Sequence, residues 1–271
     1  MGRKPGLTGW IRRDGFSISA ALLRRASTLA VPPIGPGVSP VQILSVMAVP
    51  GIIAIEFPEA IRSRKVVTRS RARPTGKFPS WKMGRMLQWE SIAELNAMRL
   101  LDVDFSVRSF AEQPVVVRYV LNGESRTHYP DLLVERDNGL KELWEVKPAK
   151  DAAREEVAER TALLQAALPT YGYEYRLLYA EDLRRQPRLS NVLEILKWGH
   201  GPISALDRER VRAMLTQLPA VTWRDAASGA LGRSGRHLLC RLVLEGMLAV
   251  DLNEKLGLDS RFTLSRMRFA P

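Results

Sequence analysis

The sequence contains a single cysteine, Cys240, among 271 residues. One cysteine excludes an intramolecular disulfide and any zinc site built from several thiolates, and it is typical of a reducing compartment. The three histidines, His128, His200 and His237, are too scattered along the chain to predict a zinc site. We therefore expect a cytoplasmic protein whose chemistry does not depend on thiols or on zinc.

The sequence also lacks an unbroken apolar run long enough to cross a membrane. The apolar stretch over residues 41–57 is interrupted by Pro50-Gly51 and is shorter than a comfortable membrane span. It begins too far into the sequence for a signal peptide. We expect residues 1–60 to form a poorly ordered extension and the protein to have no membrane contact.

Acidic residues are scarce in the first part of the chain, and the formal net charge is +12. The charge is +10 over residues 1–79, −3 over 80–180 and +5 over 181–271. A middle segment of low net charge between basic flanks fits a protein that binds a polyanion outside its reactive centre. Basic tails also occur on proteins with no nucleic-acid role, so charge alone leaves the partner open.

Residues 129–147 predict a β-hairpin that carries charged side chains. Its two apolar runs are separated by an Asp-Asn-Gly turn at 137–139, in which Asn and Gly accept positive φ. In the second strand, Glu145 and Lys147 alternate with an apolar residue and therefore project from one face. Asp131 enters the same region from the first strand.

Two carboxylates and one amine on one face suit metal-dependent cleavage of a phosphodiester. Carboxylates bind Mg²⁺, which keeps water in its other positions, and a lysine can polarise the attacking water or stabilise charge on the phosphate. The pattern Pro130-Asp131, then Glu145-x-Lys147, is that of the PD-(D/E)xK nuclease motif. Alternating Glu and Lys also occur on the solvated face of ordinary antiparallel sheets, so this stretch alone leaves both interpretations open.

A predicted helix and a basic segment precede the hairpin. Residues 86–101 contain no Gly or Pro and predict a helix with Glu90 and Glu94 on one side. Nucleases of the PD-(D/E)xK type typically take a further acidic ligand from this helix; Glu90 is the candidate, with Glu94 in reserve. The basic residues over 62–82 indicate either a solvated loop or an approach for DNA phosphates. The expected DNA contacts are Arg69, Arg71 and Lys82.

The segments after the hairpin predict a parallel strand and a second domain. Residues 151–167 predict a helix, and 173–179 predict a strand that can lie parallel to the one bearing Lys147. A charged break at 181–187 marks a domain boundary. Beyond it we expect helices over 207–218 and 236–248, and then a β-hairpin formed by strands over 248–252 and 261–264. This is the order of a winged helix, whose role would be either protein docking or base reading.

Six motifs, taken in order, resemble the TnsA family, the endonuclease subunits of heteromeric cut-and-paste transposases. The resemblance is specific from about residue 62 to 148, looser towards the C terminus, and absent from residues 1–60. The motifs are Lys65-Val66-Val67-Thr68-Arg69-Ser70-Arg71, Phe78-Pro79-Ser80-Trp81-Lys82, Trp89-Glu90-Ser91, Glu112-Gln113-Pro114, Tyr129-Pro130-Asp131 and Glu145-Val146-Lys147-Pro148.

This resemblance implies an endonuclease that cleaves the 5′ ends of a transposable element, while a DDE-type transposase subunit cuts and joins the 3′ ends. The acidic triad of the family falls on Glu90, Asp131 and Glu145, which would bind Mg²⁺, with Mn²⁺ as a substitute; Lys147 is the catalytic lysine. Some family members have Gln in place of Glu145. The implied partners are the double-stranded transposon ends, the DDE-type transposase and an AAA+ ATPase regulator, in the bacterial cytoplasm.

We therefore expect an α/β fold with a restriction-endonuclease-like mixed sheet flanked by helices, followed by a small winged-helix-like domain. Residues 1–60 would be the extension, 61–183 the PD-(D/E)xK nuclease domain and 184–271 the C-terminal domain. Two other functions stay open: a stand-alone restriction- or repair-type nuclease of the same fold, and a non-catalytic DNA-binding assembly subunit. The presence of all four catalytic candidates argues against the second of these.

Overall fold

The computed structural model describes residues 51–57 and 74–265, which form strands and helices in the following order. The first part of the chain contains β1 (Ile52–Glu56), β2 (Gly76–Ser80), β3 (Arg85–Trp89), α1 (Ile92–Val103), β4 (Val107–Glu112), β5 (Val116–Leu121), β6 (Glu124–His128), β7 (Leu132–Arg136), β8 (Lys141–Lys147), α2 (Ala149–Ala152), α3 (Glu155–Ala167) and β9 (Glu174–Tyr179). The second part contains α4 (Ala180–Leu183), α5 (Arg188–Gly199), α6 (Ala205–Gln217), β10 (Val221–Thr222), α7 (Trp223–Ala227), α8 (Gly235–Leu244), β11 (Leu248–Ala249) and β12 (Arg261–Leu264).

A central sheet contains the predicted hairpin. Its strands lie in the order β4, β7, β8, β9, with β7 and β8 antiparallel and β8 and β9 parallel. The turn between β7 and β8 contains Gly139 at φ +86°, a conformation that glycine adopts without steric cost. The hairpin over 129–147 and the parallel strand over 173–179 are thus confirmed. The interior strand β8 has five consecutive buried residues, so any charged group on it needs a specific partner.

Two smaller β-structures accompany the central sheet. Strands β1, β5 and β6 form an antiparallel sheet, and β2 pairs with β3 as a hairpin. Strand β1 lies within residues 1–60, where a poorly ordered extension is expected. That expectation does not hold for β1, because Ile52 and Ile55 are buried and the strand pairs with β5. The rest of the extension lies outside the described residues.

The helix predicted over 86–101 is wrong at its N-terminal end. Residues 85–89 form β3, and α1 begins only after Ser91, whose side-chain oxygen accepts a hydrogen bond from the Glu94 backbone N–H at 3.1 Å. This is N-terminal helix capping. Glu90 therefore lies before the helix and Glu94 lies in its first turn, so the two glutamates do not share a helix face.

The elements after β8 follow the predictions in part. The helix predicted over 151–167 is divided into α2 and α3, which are separated at residues 153–154. The predicted helices and strands near the C terminus correspond to α6, α8, β11 and β12, with shorter strands. Helix α5 was not predicted. In the C-terminal sheet, β12 lies between β10 and β11 and is antiparallel to both.

One apolar core joins the two parts of the chain. Helix α5 packs against both α1 and α8, and the core continues from Leu101 through Ile195 to Leu239 and Phe262. All the described residues belong to one compact unit that spans 42–271. None of the helices within the described ranges combines the length and apolarity needed to cross a bilayer.

Candidate active site

The structure brings Asp131, Glu145 and Lys147 together on the central hairpin. The Lys147 Nζ lies 2.7 Å from the Glu145 Oε1. The Asp131 Oδ2 accepts a hydrogen bond of 2.7 Å from the Val146 backbone N–H, between these two residues. The alternation predicted for β8 is therefore correct, and the Asp131 carboxylate lies beside the Glu145–Lys147 pair.

In this cluster, burial and repulsion between carboxylates disfavour the ionised form of Asp131. Although Asp131 as a whole residue is only partly buried, its carboxyl group is surrounded by protein. Burial, and then the negative charges of Glu145 and Glu94, raise the pKa of Asp131 well above its usual range. Burial also opposes the charged form of Lys147, but the carboxylates of Glu145 and Asp131 outweigh it and raise the pKa of Lys147. The cluster thus holds an excess of negative charge that a cation would neutralise.

Two buried glutamates on β8 differ in how their oxygens are satisfied. Glu142 Oε2 accepts from Arg136 at 3.0 Å and from the Trp144 indole at 2.9 Å, and its Oε1 lies 2.8 Å from Arg176. Glu145 Oε2 is buried and has no hydrogen-bond partner within the described part of the chain. Because buried polar atoms are normally paired, Glu142 has the contacts of a structural residue and Glu145 those of a residue with a ligand still to bind.

Glu90 and Glu94 occupy different positions beside this cluster. The Glu90 carboxylate accepts a hydrogen bond of 2.5 Å from the side-chain amide of Gln113. The Glu94 carboxylate accepts from the Glu90 backbone N–H at 2.8 Å and from the Ser91 hydroxyl at 2.9 Å. The charge of Glu94 contributes to the raised pKa of Asp131. Burial raises the pKa of Glu94 itself, and the positive charge of Lys147 partly offsets that rise. The reserve candidate, Glu94, therefore lies in the electrostatic environment of Asp131.

The sequence contains a signal for this arrangement that the helix prediction did not use. Ser91-x-x-Glu94 is a capping-box pattern, which places a helix start at the serine and a glutamate in the first turn. Applied to this stretch, it would have moved the helix start from residue 86 to Ser91.

The donors present fit a hard divalent cation. Over residues 51–57 and 74–265, no three His, Cys, Asp or Glu side chains are grouped so that they could hold a metal together, so the predicted triad Glu90, Asp131 and Glu145 is not assembled as three ligands. Mg²⁺, however, commonly takes only one or two carboxylates and keeps several waters. Asp131 and Glu145 supply two carboxylates, and the unsatisfied Glu145 Oε2 offers a ready oxygen ligand.

A layer of polar side chains beneath Glu145 was not anticipated from the sequence. The Tyr175 hydroxyl lies 3.0 Å from the His128 Nε2, which is 3.4 Å from the Glu145 Oε2. Burial, followed by the positive charges of Arg160 and Lys147, lowers the pKa of His128 to about 3, so this imidazole is neutral. Arg160 reaches the other oxygen of Glu145 from α3. These residues come from three separate elements, and their sequence spacing carries no signal of the contact.

The DNA-contact candidates Arg69 and Arg71 lie outside the described residues, and Lys82 has a role within the fold. The Lys82 Nζ donates to the backbone carbonyls of Asp104 at 2.5 Å and Val107 at 2.7 Å. The ammonium group of Lys82 thus binds the segment that follows α1, and the DNA contact of Lys82 stays a prediction.

The motif around Lys82 forms a rigid turn between β2 and β3. The buried carboxylate of Asp102, on α1, accepts hydrogen bonds from the Ser80 hydroxyl, from the Trp81 backbone N–H at 2.9 Å and from the Lys82 backbone N–H at 3.0 Å. Part of the motif that carries the family resemblance is thus explained by structure alone.

A mixed sheet whose central hairpin carries two carboxylates and a lysine is the arrangement expected of an endonuclease domain. Residues 104–179 match the family model described as TnsA-like endonuclease N terminal. This segment runs from the end of α1 to the end of β9 and includes Asp131, Glu145 and Lys147. The match confirms the resemblance to TnsA-like nucleases over this part of the chain; Glu90, Glu94 and everything after residue 179 lie outside it. No curated protein matches the chain.

Proposed function

We propose that this protein is a metal-dependent DNA endonuclease that cleaves the 5′ ends of a transposable element, as the TnsA-like subunit of a heteromeric cut-and-paste transposase. The observation that carries the proposal is the cluster of Asp131, the incompletely satisfied Glu145 and Lys147, inside the segment that matches the TnsA-like model. A chain with a purely structural hairpin would gain stability by pairing or removing these charges.

Each residue of the cluster has a role in hydrolysis. Asp131 and Glu145 would hold Mg²⁺, or Mn²⁺ in its place; when bound, the metal supplies Lewis-acid stabilisation of the charge that gathers on the phosphate and the leaving oxygen. Lys147, with a side chain that is 35% exposed, is the cation that can turn from Glu145 to the attacking water or to the phosphate. Hydrolysis breaks the P–O3′ bond and leaves a 5′-phosphate and a 3′-hydroxyl.

Glu94 is proposed as the third acidic residue of the site, and Glu90 as a supporting residue beside it. Glu94 contributes to the raised pKa of Asp131 and interacts with Lys147. Glu90 is instead hydrogen-bonded to Gln113, whose backbone N–H donates to the Asp131 carbonyl at 2.8 Å. The structure therefore supports Glu94 as the group that acts on the reaction centre and Glu90 as a support for the loop before Asp131.

The C-terminal part is proposed to be a winged-helix-like module that docks protein rather than reads bases. Its order α6, β10, α7, α8, β11, β12, with β12 in the middle of the sheet, supports the winged-helix assignment. In such a module α8 would be the helix that enters the DNA groove. Most of its residues are buried, and its more exposed side chains contact protein: Arg236 lies over Trp198, the His237 Nδ1 lies 2.7 Å from the Trp198 carbonyl oxygen, and Arg241 lies over Trp81.

The proposed partners are the double-stranded transposon ends, the DDE-type transposase subunit and an AAA+ ATPase regulator. The net charge of +12 supports contact with a polyanion. The module formed by α6 to β12 offers a surface for the protein partners, since its would-be recognition helix is already covered. Of the alternatives, a stand-alone nuclease would share the catalytic cluster but would need neither partner.

The experiment that tests this function measures the dependence of cleavage on metal, partner and end sequence. The purified protein is incubated with plasmids that carry either the element's ends or scrambled ends, with and without the DDE-type transposase, in Mg²⁺ or in EDTA. We expect end-specific cleavage only with the partner, the natural ends and Mg²⁺ together. Cleavage of scrambled ends without the partner would instead establish a stand-alone nuclease, and equal cleavage in EDTA would contradict metal dependence.

A further inference from the structure

Two cations share a single oxygen of the buried Glu145. The Lys147 Nζ lies 2.7 Å from the Glu145 Oε1, and the Arg160 Nη2 lies 3.4 Å from the same atom. The side chain of Lys147 is 35% exposed, that of Arg160 is 14% exposed and that of Glu145 only 4% exposed. Lys147 therefore approaches the carboxylate from the solvent side, and Arg160 approaches from the interior, from α3.

Arg160 has hydrogen-bonding capacity that the fold does not use. Its Nε is buried without a hydrogen-bond partner within the described residues. An arginine buried to this degree normally has its donors filled, because an unpaired buried donor costs stability. The guanidinium therefore contacts Glu145 through Nη2, while its Nε donor stays unused in the described part of the chain.

The proposed reaction requires Lys147 to turn away from Glu145. If Lys147 were the only cation beside Glu145, its departure would leave a buried carboxylate with no compensating charge, which strongly destabilises a protein. Arg160 is the other cation at Glu145, and it cannot follow Lys147 to the solvent side because it is anchored on α3.

We propose that Arg160 is a positioning residue, which keeps Glu145 in place and its charge compensated while Lys147 serves the attacking water or the phosphate. This inference rests on the proposed endonuclease function and assigns a second role within the same site. Arg160 acts through Glu145 and does not itself contact the DNA.

The first test is a thermal-unfolding cycle on the purified full chain in EDTA, which needs no cleavage. The variants are Arg160→Gln, Lys147→Met and the double variant, with the exposed Arg154→Gln as the matched control. Either cation alone compensates Glu145, so each single variant lowers the unfolding midpoint little. The double variant lowers it beyond the sum of the singles by about 3–8 °C. Adding Glu145→Gln to the double variant restores the midpoint, because the uncompensated charge is removed.

An additive double variant, or one that Glu145→Gln does not restore, would overturn the inference. Because this cycle does not measure cleavage, its outcome is separate from that of the endonuclease proposal. If the cycle shows that Arg160 and Lys147 are coupled through Glu145 but the natural protein never cleaves DNA with its partner, the proposed endonuclease function is wrong. The charge compensation of Glu145 by Arg160 is then still supported.

The second test separates positioning from direct contact with DNA. With the partner transposase and Mg²⁺, we expect Arg160→Gln to slow 5′-end cleavage by roughly 10–100-fold, the usual effect of removing a residue that orients a metal ligand. Arg160→Lys restores part of the rate, since it keeps the charge. DNA affinity, measured in EDTA, stays unchanged in both variants. A fall in affinity that accounts for the lost rate would show that Arg160 binds the phosphate and would overturn the positioning role.

Discussion

Asp131 lies where an ionised carboxylate costs the folded protein free energy. Burial and the charges of Glu145 and Glu94 raise its pKa well above the usual range. Residues that are unfavourable to the fold but placed at a reaction centre are a common sign of function. The effect of Asp131 on stability can therefore be measured separately from its effect on cleavage.

The variant Asp131→Asn is expected to raise the unfolding midpoint in EDTA at neutral pH by about 2–4 °C, the shift that corresponds to roughly 1 kcal/mol in a chain of this size. Mg²⁺ should raise the midpoint of the natural protein and have less effect on the variant, because the metal would stabilise the folded state by binding to the ionised carboxylate. The measurement is thermal unfolding by circular dichroism over a Mg²⁺ titration.

The same comparison has a predicted pH dependence. A folded-state pKa that is raised above the unfolded value means that ionisation destabilises the fold. The advantage of Asp131→Asn should therefore be absent below about pH 4, where the unfolded aspartate is also protonated, and should grow as the pH rises towards the folded-state pKa. An advantage that is constant between pH 3 and pH 8 would contradict this account.

Glu142 and Glu145 form a natural matched pair, since both are buried on β8 but differ in their partners. Glu142→Gln removes the charge that Arg136 and Arg176 share and is expected to cost about 2 kcal/mol of unfolding free energy. Glu145→Gln is expected to cost less than about 1 kcal/mol, because it also relieves the repulsion with Asp131. Denaturant unfolding of the two variants makes the comparison, and a larger loss for Glu145→Gln would argue that Glu145 is a structural residue.

Glu90 and Glu94 can be distinguished by the isosteric amide in each position. Glu94→Gln keeps the capping interactions at the start of α1, since Gln serves as well as Glu there, but it removes the charge near Asp131. We expect Glu94→Gln to reduce cleavage by the natural complex by about 10²-fold or more, and Glu90→Gln to reduce it less. The reverse order, measured as initial cleavage rates, would return the third acidic position to Glu90.

At the scale of the elements, the turn between β2 and β3 shows how a basic motif can serve the fold. The ammonium group of Lys82 donates to two backbone carbonyls that follow α1. Lys82→Met is expected to lower the unfolding free energy by about 1–3 kcal/mol, because both hydrogen bonds are lost. Denaturant unfolding measures this loss, and gel-shift titration against the exposed Lys255→Met as control tests the predicted DNA contact. A loss of DNA affinity with unchanged stability would show that Lys82 serves DNA binding and not the fold.

The elements that were predicted correctly are those with local signals. The hairpin of β7 and β8 has an Asn-Gly turn between apolar runs, and Gly139 adopts the positive φ that such a turn requires. The strand β9 follows a helical segment and pairs in parallel with β8. In each case the pattern within about fifteen residues was enough to indicate the structure.

The errors arose where tertiary contacts outweighed local propensity. Residues 86–89 have good helix formers, but they pair with β2 as a strand, and the helix starts at the Ser91 cap. Helix α5 was not predicted because its segment follows a charged break, yet it is the element that packs against both α1 and α8. Such pairings depend on residues far apart in sequence, which a single sequence does not identify.

The same limit applied to the site. Asp131, Glu145 and Lys147 were found because they lie on one hairpin with a recognisable spacing. The residues that support them, Arg160 and Tyr175, come from α3 and β9 and have no local pattern that marks them. Supporting residues of this kind can be identified from the three-dimensional structure but not from their spacing in the sequence.

At the scale of the whole molecule, the C-terminal part is packed onto the rest. A single apolar core crosses residue 183, where a domain boundary was placed. Arg241, on α8, lies 4.7 Å from the ring centroid of Trp81 in the turn between β2 and β3. A change in the C-terminal part, such as the binding of a partner, therefore has a direct physical route to the turn that is held by Asp102 on α1.

The central claim is that the cluster on the central hairpin cleaves the 5′ ends of an element. The most direct test maps the cut strands on a plasmid with the natural ends, the DDE-type transposase and Mg²⁺, for the natural protein, Asp131→Ala and the exposed hairpin control Asp137→Ala. We predict that Asp131→Ala loses the 5′-end cuts and retains the 3′-end cuts, while Asp137→Ala retains both. If Asp131→Ala supports the same 5′-end cuts as the natural protein, the cluster is not the catalytic site and the claim is wrong.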